Sequence, residues 1–444
     1  MMQVSTTSGP VVAHVEDGVS SFRGVRYGRL ANGRRFDAVI AADKGSKQDL
    51  RDLTAVFPQL SSRLNVVVGP AIDAHPQEED AFLLDIWAPV GAVGLPVLVI
   101  VHGGAFVAGG SGVRWNRGHV LARDGAMIVV GINYRLGPLA HLSLGPDDNP
   151  NRAVGDISEA LRWVRRNIEA FGGDPTNVTL GGQSAGGFLA KLMAVTSSEH
   201  GMLRRLLVMS SPGIPAATRA ETESLSAQVV GGLRGADPRT VPVEMLLESH
   251  RQAMIGNRTF GKVGMGLMPT SVGIVPEWLD DPIKVAAELR VTDLLVTSTR
   301  HDAAAFFCTG PERQITRDQL RKLYGDRADT GRDPYWELVE ITTSDRFRNP
   351  ARDLAAAAVA RGINAQHREF SVPSQLDGLG SGHCVDLPFF FGNWDDWRDA
   401  PMMASIDRHQ FDEESAKFRG LVADLVHGRM RMHKAQQRQA NGTE

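Results

Sequence analysis

The chain has 444 residues, 42% of them hydrophobic and 22% charged, and 48 Lys and Arg stand against 51 Asp and Glu for a net charge of −3. That is enough apolar material for a large core with insertions, which excludes compositional disorder, and the mixed charge excludes a polybasic nucleic-acid or membrane surface. Only Cys308 and Cys384 are present, without metal-ligand spacing, no apolar run reaches membrane-span length, and Met1 to Pro10 lacks the basic and apolar regions of a secretory signal, so the expectation is a cytoplasmic protein with free thiols, no metal or other cofactor and no membrane partner.

Before residue 90 the chain reads as antiparallel hairpins, with Ala81 to Trp87 the clearest strand. Leu95 to Val101 is a β-rich run that ends in His102-Gly-Gly-Ala-Phe-Val-Ala-Gly109, and Ala126 to Ile132 is the next strand. Over Ile157 to Ala170, Ile157, Leu161, Val164 and Ile168 recur at helical spacing, and Phe171-Gly-Gly-Asp-Pro175 supplies the stop, since glycine takes the left-handed cap and proline cannot continue a helix. Asn177 to Leu180 reads as a strand that runs into Gly181-Gly-Gln-Ser-Ala-Gly-Gly187, and a helix follows over Phe188 to Val195. Further strands are expected at Leu203 to Met209, Thr292 to Ser298 and His367 to Val372. Helical patterns over about 214–281 and 310–348 suggest insertions that cover the sheet, Asp412 to Val426 reads as a closing helix, and 429–444 as a frayed polar tail. Short β runs that alternate with helices predict a mostly parallel α/β sheet with helices on both faces, in one domain over 1–428.

The glycine-flanked Ser184 sits where a sharp strand-to-helix turn lifts a hydroxyl clear of a sheet, although a helix-opening loop with a capping serine gives the same pattern. A serine hydroxyl is a weak nucleophile at neutral pH, so it needs a histidine to take its proton, a carboxylate to orient that histidine, and backbone donors for the oxyanion. His383 lies in the glycine-rich loop Gly380-Ser-Gly-His-Cys-Val-Asp-Leu-Pro388 after the last strand, with His301 and His102 as runners-up for the base. Asp302 falls just beyond the strand Thr292 to Ser298. It also suits an N-cap for 303–307, and Asp386 ranks second to it as the acid. The N–H groups of Gly104, Ala105 and Ala185 are the candidate oxyanion donors. Cys384 has no elbow around it and reads as a small buried residue.

These residues together resemble the type-B carboxylesterase family of the α/β-hydrolase superfamily, the group that includes cholinesterases and bacterial para-nitrobenzyl esterases. The series that carries the resemblance is ordered and long: Phe22-Arg-Gly-Val-Arg-Tyr27, Glu79 through Pro89, His102-Gly-Gly-Ala-Phe106, Asn133-Tyr-Arg-Leu-Gly-Pro138, Ala160-Leu-Arg-Trp-Val164, Phe171 through Leu180, the Ser184 turn, and His383 through Pro388. It implies an α/β-hydrolase fold with N-terminal antiparallel hairpins and helical covering insertions. It also implies a serine carboxylesterase that acts on small ester substrates through an acyl-enzyme, with Ser184 as nucleophile, His383 as base, and Gly104, Ala105 and Ala185 as oxyanion donors.

Several positions depart from the family pattern. Ungapped matching puts Asp302 where the family has glutamate, whereas a one-residue shift puts Ala303 there and breaks the triad. Gln183 replaces the usual glutamate beside the nucleophile. Ala81 stands where secreted members have the first cysteine of a disulfide. No aromatic follows Phe57 as far as Gln77, which disfavours recognition of quaternary ammonium groups. Phe106 and Trp115 are expected at the substrate entrance. A catalytically silent binding protein on the same scaffold, or an acyltransferase using an alcohol acceptor, is the alternative, and the choice of monomer or homodimer stays open.

Overall fold

A computed structural model of the chain describes residues 2–196 and 201–431. Twelve strands are formed: β1 (Met2–Thr6), β2 (Gly9–Glu16), β3 (Val19–Arg26), β4 (Gly28–Leu30), β5 (Val39–Ala41), β6 (Leu83–Pro89), β7 (Leu95–Val101), β8 (Ile128–Ile132), β9 (Gly173–Gln183), β10 (Leu203–Met209), β11 (Asp293–Thr299) and β12 (Asn364–Phe370). The short pair β4 and β5 stands apart, and the other ten make one sheet in the order β1-β2-β3-β6-β8-β7-β9-β10-β11-β12. From β8 to β12 every neighbouring pair is parallel, while β1, β2, β3 and β6 form the expected antiparallel flank.

Side chains alternate across a strand, so a sheet covered on both faces needs apolar residues at every position. In β7, Val97, Val99 and Val101 enter the core on one face and Leu98 and Ile100 the core on the other. Helices Arg152–Asn167, Ala185–Thr196 and Asn349–Ala360 contribute to the first core, and His119–Gly125 and Arg408–Val426 to the second. Ile157, Leu161, Val164 and Ile168 are all fully buried, as their spacing predicts. Gly172 caps that segment with φ 84°.

Backbone pairing moves several boundaries. The strand expected at 177–180 extends over Gly173–Gln183 because both its edges find partners, in β7 and in β10. Pro175, which has no N–H to give a ladder, falls where the β7 register shifts between Leu95 and Val97. The insertions are helical, with Arg219–Gly232 and Val243–Gly256 in the first and Arg317–Tyr324 and Pro334–Thr343 in the second. The alanine-rich helix Asn349–Ala360, unassigned by periodicity, continues the second.

Arg429 to Arg431 do not begin a frayed end. Met430 is buried, and Asn364 and Gln366 of β12 donate to the carbonyls of Met430 (2.8 Å) and Arg431 (2.6 Å). The rest of the expected tail, 432–444, lies outside the described residues. Among the described residues no helix is long and apolar enough to cross a membrane.

Candidate active site

Five strands adjacent in the sheet, β7, β9, β10, β11 and β12, send their carboxyl ends to one edge. The loops there carry, in that spatial order, Gly104, Ser184, Ser210, Asp302 and His383. Ligand sites of open α/β sheets form at such an edge, because parallel strands deliver all their following loops to the same side.

Ser184 has φ 57°, a left-handed conformation that a non-glycine residue rarely adopts. Two bonds hold it there: its N–H donates to the Met209 carbonyl at 2.8 Å, and its own carbonyl accepts from Phe188 at 3.0 Å. Helix Ala185–Thr196 starts immediately, so the N–H of Ala185 belongs to the first turn and has no intrahelical acceptor. The elbow is pressed against β7, since a Cβ at Gly186 would stand 2.0 Å from the Val101 carbonyl oxygen.

The loop after β7 lies on top of this turn, where a Cβ at Gly103 would come within 3.3 Å of the Ser184 Cβ. Gly104 has φ 118°, and Ala105 and Phe106 follow at 54° and 63°. This run folds the chain back on itself, so that Val107 and Ala108 donate to the Gly104 carbonyl. The N–H groups of Gly104 and Ala105 donate to no described residue. Successive donors in a left-handed turn form an anion-binding concavity, and this one adjoins the serine.

Asp302 and His383 meet through a 2.8 Å bond between Oδ1 and Nδ1, with 0% and 1% of their side chains exposed. The second carboxylate oxygen accepts from the Thr299 N–H at 2.9 Å and the Ser210 hydroxyl at 3.2 Å. Asp302 does not cap the helix that follows it, which starts from Ala303 without a side-chain cap. The ungapped alignment therefore matches the residue that touches the imidazole, while Ala303 is buried without such a contact. Ser210, with φ 42° at the end of β10, was missed by the sequence reading, because a lone serine after a strand carries no motif.

With Nδ1–H given to Asp302, the Nε2 of His383 carries the lone pair. In this structure that lone pair faces the Gln183 amide nitrogen at 3.1 Å, and the Ser184 hydroxyl makes no hydrogen bond to a described residue. Gln183 thus donates to the His383 imidazole from the position where the family pattern has a glutamate. The imidazole is flanked by Phe306 at 5.1 Å and Phe347 at 5.4 Å, ring centre to ring centre.

Asp386, the second-ranked acid, is fully buried and its carboxylate makes no hydrogen bond to a described residue. Burial, reinforced by the charge of Asp302 and opposed by His383, pushes its pKa up to about 7. Burial and the charges of Asp386 and Asp302 push the Cys384 thiol up as well, which leaves it without thiolate character at neutral pH. Both cysteines are free and buried.

His102 stacks on Tyr134 at 4.4 Å and is held neutral, its pKa lowered to about 4 by burial. The His301 ring accepts from the Ser381 N–H at 3.1 Å and the backbone N–H of His301 donates to the Ser381 carbonyl at 2.8 Å, so the residue pins the loop that carries His383.

Of the two residues expected at the entrance, Phe106 is 0% exposed and packs edge-on against Phe188 at 5.6 Å. Trp115 is half-buried and stacks on Trp397 at 5.7 Å. Packing against an aromatic ring removes apolar area of each from water. Among the described residues no cluster of His, Cys, Asp or Glu is arranged to hold a metal ion.

A model described as the carboxylesterase family matches residues 2–327. The chain is 30% identical over 440 residues to a probable N-octanoylanthranilate hydrolase of Rhodococcus erythropolis, an alignment that spans 96% of this chain and 92% of the relative. It is 32% identical over 417 residues to the para-nitrobenzyl esterase of Bacillus subtilis strain 168, spanning 88% and 83%. A solved PNB esterase structure superposes with a TM-score of 0.81 at 26% identity, over 96% of this chain and 90% of that one.

Proposed function

The chain belongs to the carboxylesterase family and hydrolyses carboxylic esters, and from that premise we propose that Ser184, His383 and Asp302 are its nucleophile, base and acid. In this reading His383 Nε2 takes the Ser184 proton as Oγ attacks the ester carbonyl, and the N–H groups of Gly104, Ala105 and Ala185 hold the tetrahedral oxyanion. The alcohol leaves with the proton from His383, and water repeats the cycle to release the acid. The Gln183 amide must leave Nε2 before the first transfer, since one lone pair cannot accept from two donors.

The observation that carries this reading is the buried Asp302–His383 bond, 2.8 Å long, whose imidazole meets Gln183, the residue before a serine at φ 57°. A neutral imidazole whose Nδ1–H is fixed offers Nε2 as the base, which is what nucleophilic catalysis by serine requires. The substrates are small esters that need no cofactor. Water is the acyl acceptor in this reading, and product analysis with competing alcohols measures any transfer. Two free buried cysteines support a reducing compartment, the cytoplasm, as the site of action, and the continuous ten-stranded sheet supports a single catalytic domain over 1–428.

Labelling with a fluorophosphonate tests the assignment. The expected result is one stable adduct mapped by mass spectrometry to Ser184 and lost in Ser184→Ala. An adduct elsewhere, with Ser184→Ala still active, overturns it.

A further inference from the structure

Arg63 lies in the segment between β5 and β6, and its guanidinium carbon stands 5.5 Å from the centre of the Phe306 ring. That same ring is 5.1 Å from the His383 imidazole and stacks at 6.2 Å on Phe347. One phenyl ring therefore separates a cation from the base of the reaction.

The side chain of Arg63 makes no hydrogen bond or ion pair to a described residue. Arg63 is exposed, and crowding of its guanidinium by neighbouring atoms together with repulsion by Arg258 lowers its pKa from the usual arginine value, against the attraction of Glu312. Glu312 is already engaged: it accepts from Arg258 at 2.8 and 3.1 Å and from the Gly261 N–H at 3.2 Å. Arg346, the residue before Phe347, donates to the Val263 carbonyl at 3.2 Å and forms no ion pair with a described residue. Of the charged groups that act on Arg63, Arg258 and Glu312, the one carboxylate is thus already used.

A guanidinium stacked on an aromatic ring keeps its in-plane N–H donors free, and those donors match the two oxygens of a carboxylate. We propose that Arg63 is a substrate-recognition residue and that this enzyme prefers esters carrying a carboxylate close to the scissile bond. The proposal rests on the assignment of Ser184 and His383 above. It extends that reading by naming the substrate class.

Matched substrates test it: 4-nitrophenyl butyrate against mono-4-nitrophenyl glutarate places the anion on the acyl side, and phenyl butyrate against 3-carboxyphenyl butyrate places it on the alcohol side. In at least one pair, Arg63→Gln is expected to raise KM for the anionic member by about tenfold or more. In the same variant kcat should change little, and the neutral member should stay within about twofold, which also reports that the variant is folded. Arg63→Lys should retain part of the preference, and the wild-type preference should shrink as ionic strength rises.

A preference in both pairs that is indifferent to Arg63→Gln and to salt overturns the proposal and leaves ester hydrolysis standing. Wild-type enzyme that hydrolyses none of the four esters overturns both readings.

Discussion

The Nδ1 of His383 lies 2.8 Å from Asp302 Oδ1, both groups removed from solvent, so the loop after β12 and the loop after β11 are joined by one charge-assisted bond. An asparagine at 302 can turn its NH2 toward Nδ1 and impose the opposite tautomer. Asp302→Asn is therefore expected to lower kcat by about four orders of magnitude in steady-state ester hydrolysis. A loss of less than about tenfold would send the search for the acid back to Asp386.

Gln183 engages the lone pair that the reaction needs. Methionine is nearly isosteric and cannot donate, so Gln183→Met should speed phosphonylation of Ser184, by up to about tenfold if one ordinary hydrogen bond is relieved. Stopped-flow inactivation by the fluorophosphonate measures it. Slower inactivation would mean that the amide helps to orient the imidazole.

Asp386 has its pKa pushed up to about 7 in the folded protein, whereas an unfolded aspartate titrates near 3.9. The native state then holds the proton more tightly between these values, so this group's contribution to stability is complete below about pH 4 and is lost as pH rises through about 7. Asp386→Asn should match wild type in thermal unfolding at pH 4 and exceed it at pH 8. A difference in melting temperature that stays flat across that range would contradict the assigned shift.

Two glycines in helices should respond oppositely to alanine. Gly186 meets the carbonyl oxygens of Val101 and His102 at 2.0 and 2.6 Å from an added Cβ, while Gly155, exposed on Arg152–Asn167, meets nothing within 4 Å. Gly186→Ala should cost about 1–3 kcal/mol or more and disturb the seat of the nucleophile, with a lower melting temperature and loss of activity. Gly155→Ala should stabilise by about 0.5–1 kcal/mol with unchanged kinetics.

Arg135 and Asp156 form a buried bidentate pair at 2.6 and 2.9 Å, with 2% and 0% of their side chains exposed. Arg135 also donates to the Asp37 carbonyl at 2.8 Å, so it ties the segment after β8 to a long helix and to the amino-terminal region. Asp156→Ala leaves the guanidinium buried and unpaired, and denaturant unfolding should show a loss of about 3–5 kcal/mol. A loss under about 1 kcal/mol would show that water reaches the site.

The Ser184 turn and the glycine loop after β7 were legible because strong local sterics write themselves into short motifs. Only glycine fits at 186 against a neighbouring carbonyl, and only a run of small residues folds back as 103–105 do. His383 and Asp302 were legible more weakly, Asp302 as a carboxylate just past a strand end and His383 as a histidine in a glycine-rich loop after the last strand. The surroundings of Trp115 were not legible, for the opposite reason: its stacking partner is Trp397, far along the chain, and nothing local to 115 announces it. Ser210 escaped notice because its role depends on where Asp302 lies.

The order of β runs and helices, the glycine turns and the chain order of serine, carboxylate and histidine followed from the amino-acid sequence alone, since each is set by backbone sterics and apolar periodicity within a few residues. Which carboxylate faces His383, what Gln183 touches, and the presence of an unpaired Arg63 beside the ring that flanks the base were decided only in three dimensions. Those facts depend on which distant groups the fold brings together. There a single hydrogen bond, or the absence of a countercharge, sets the state of a side chain.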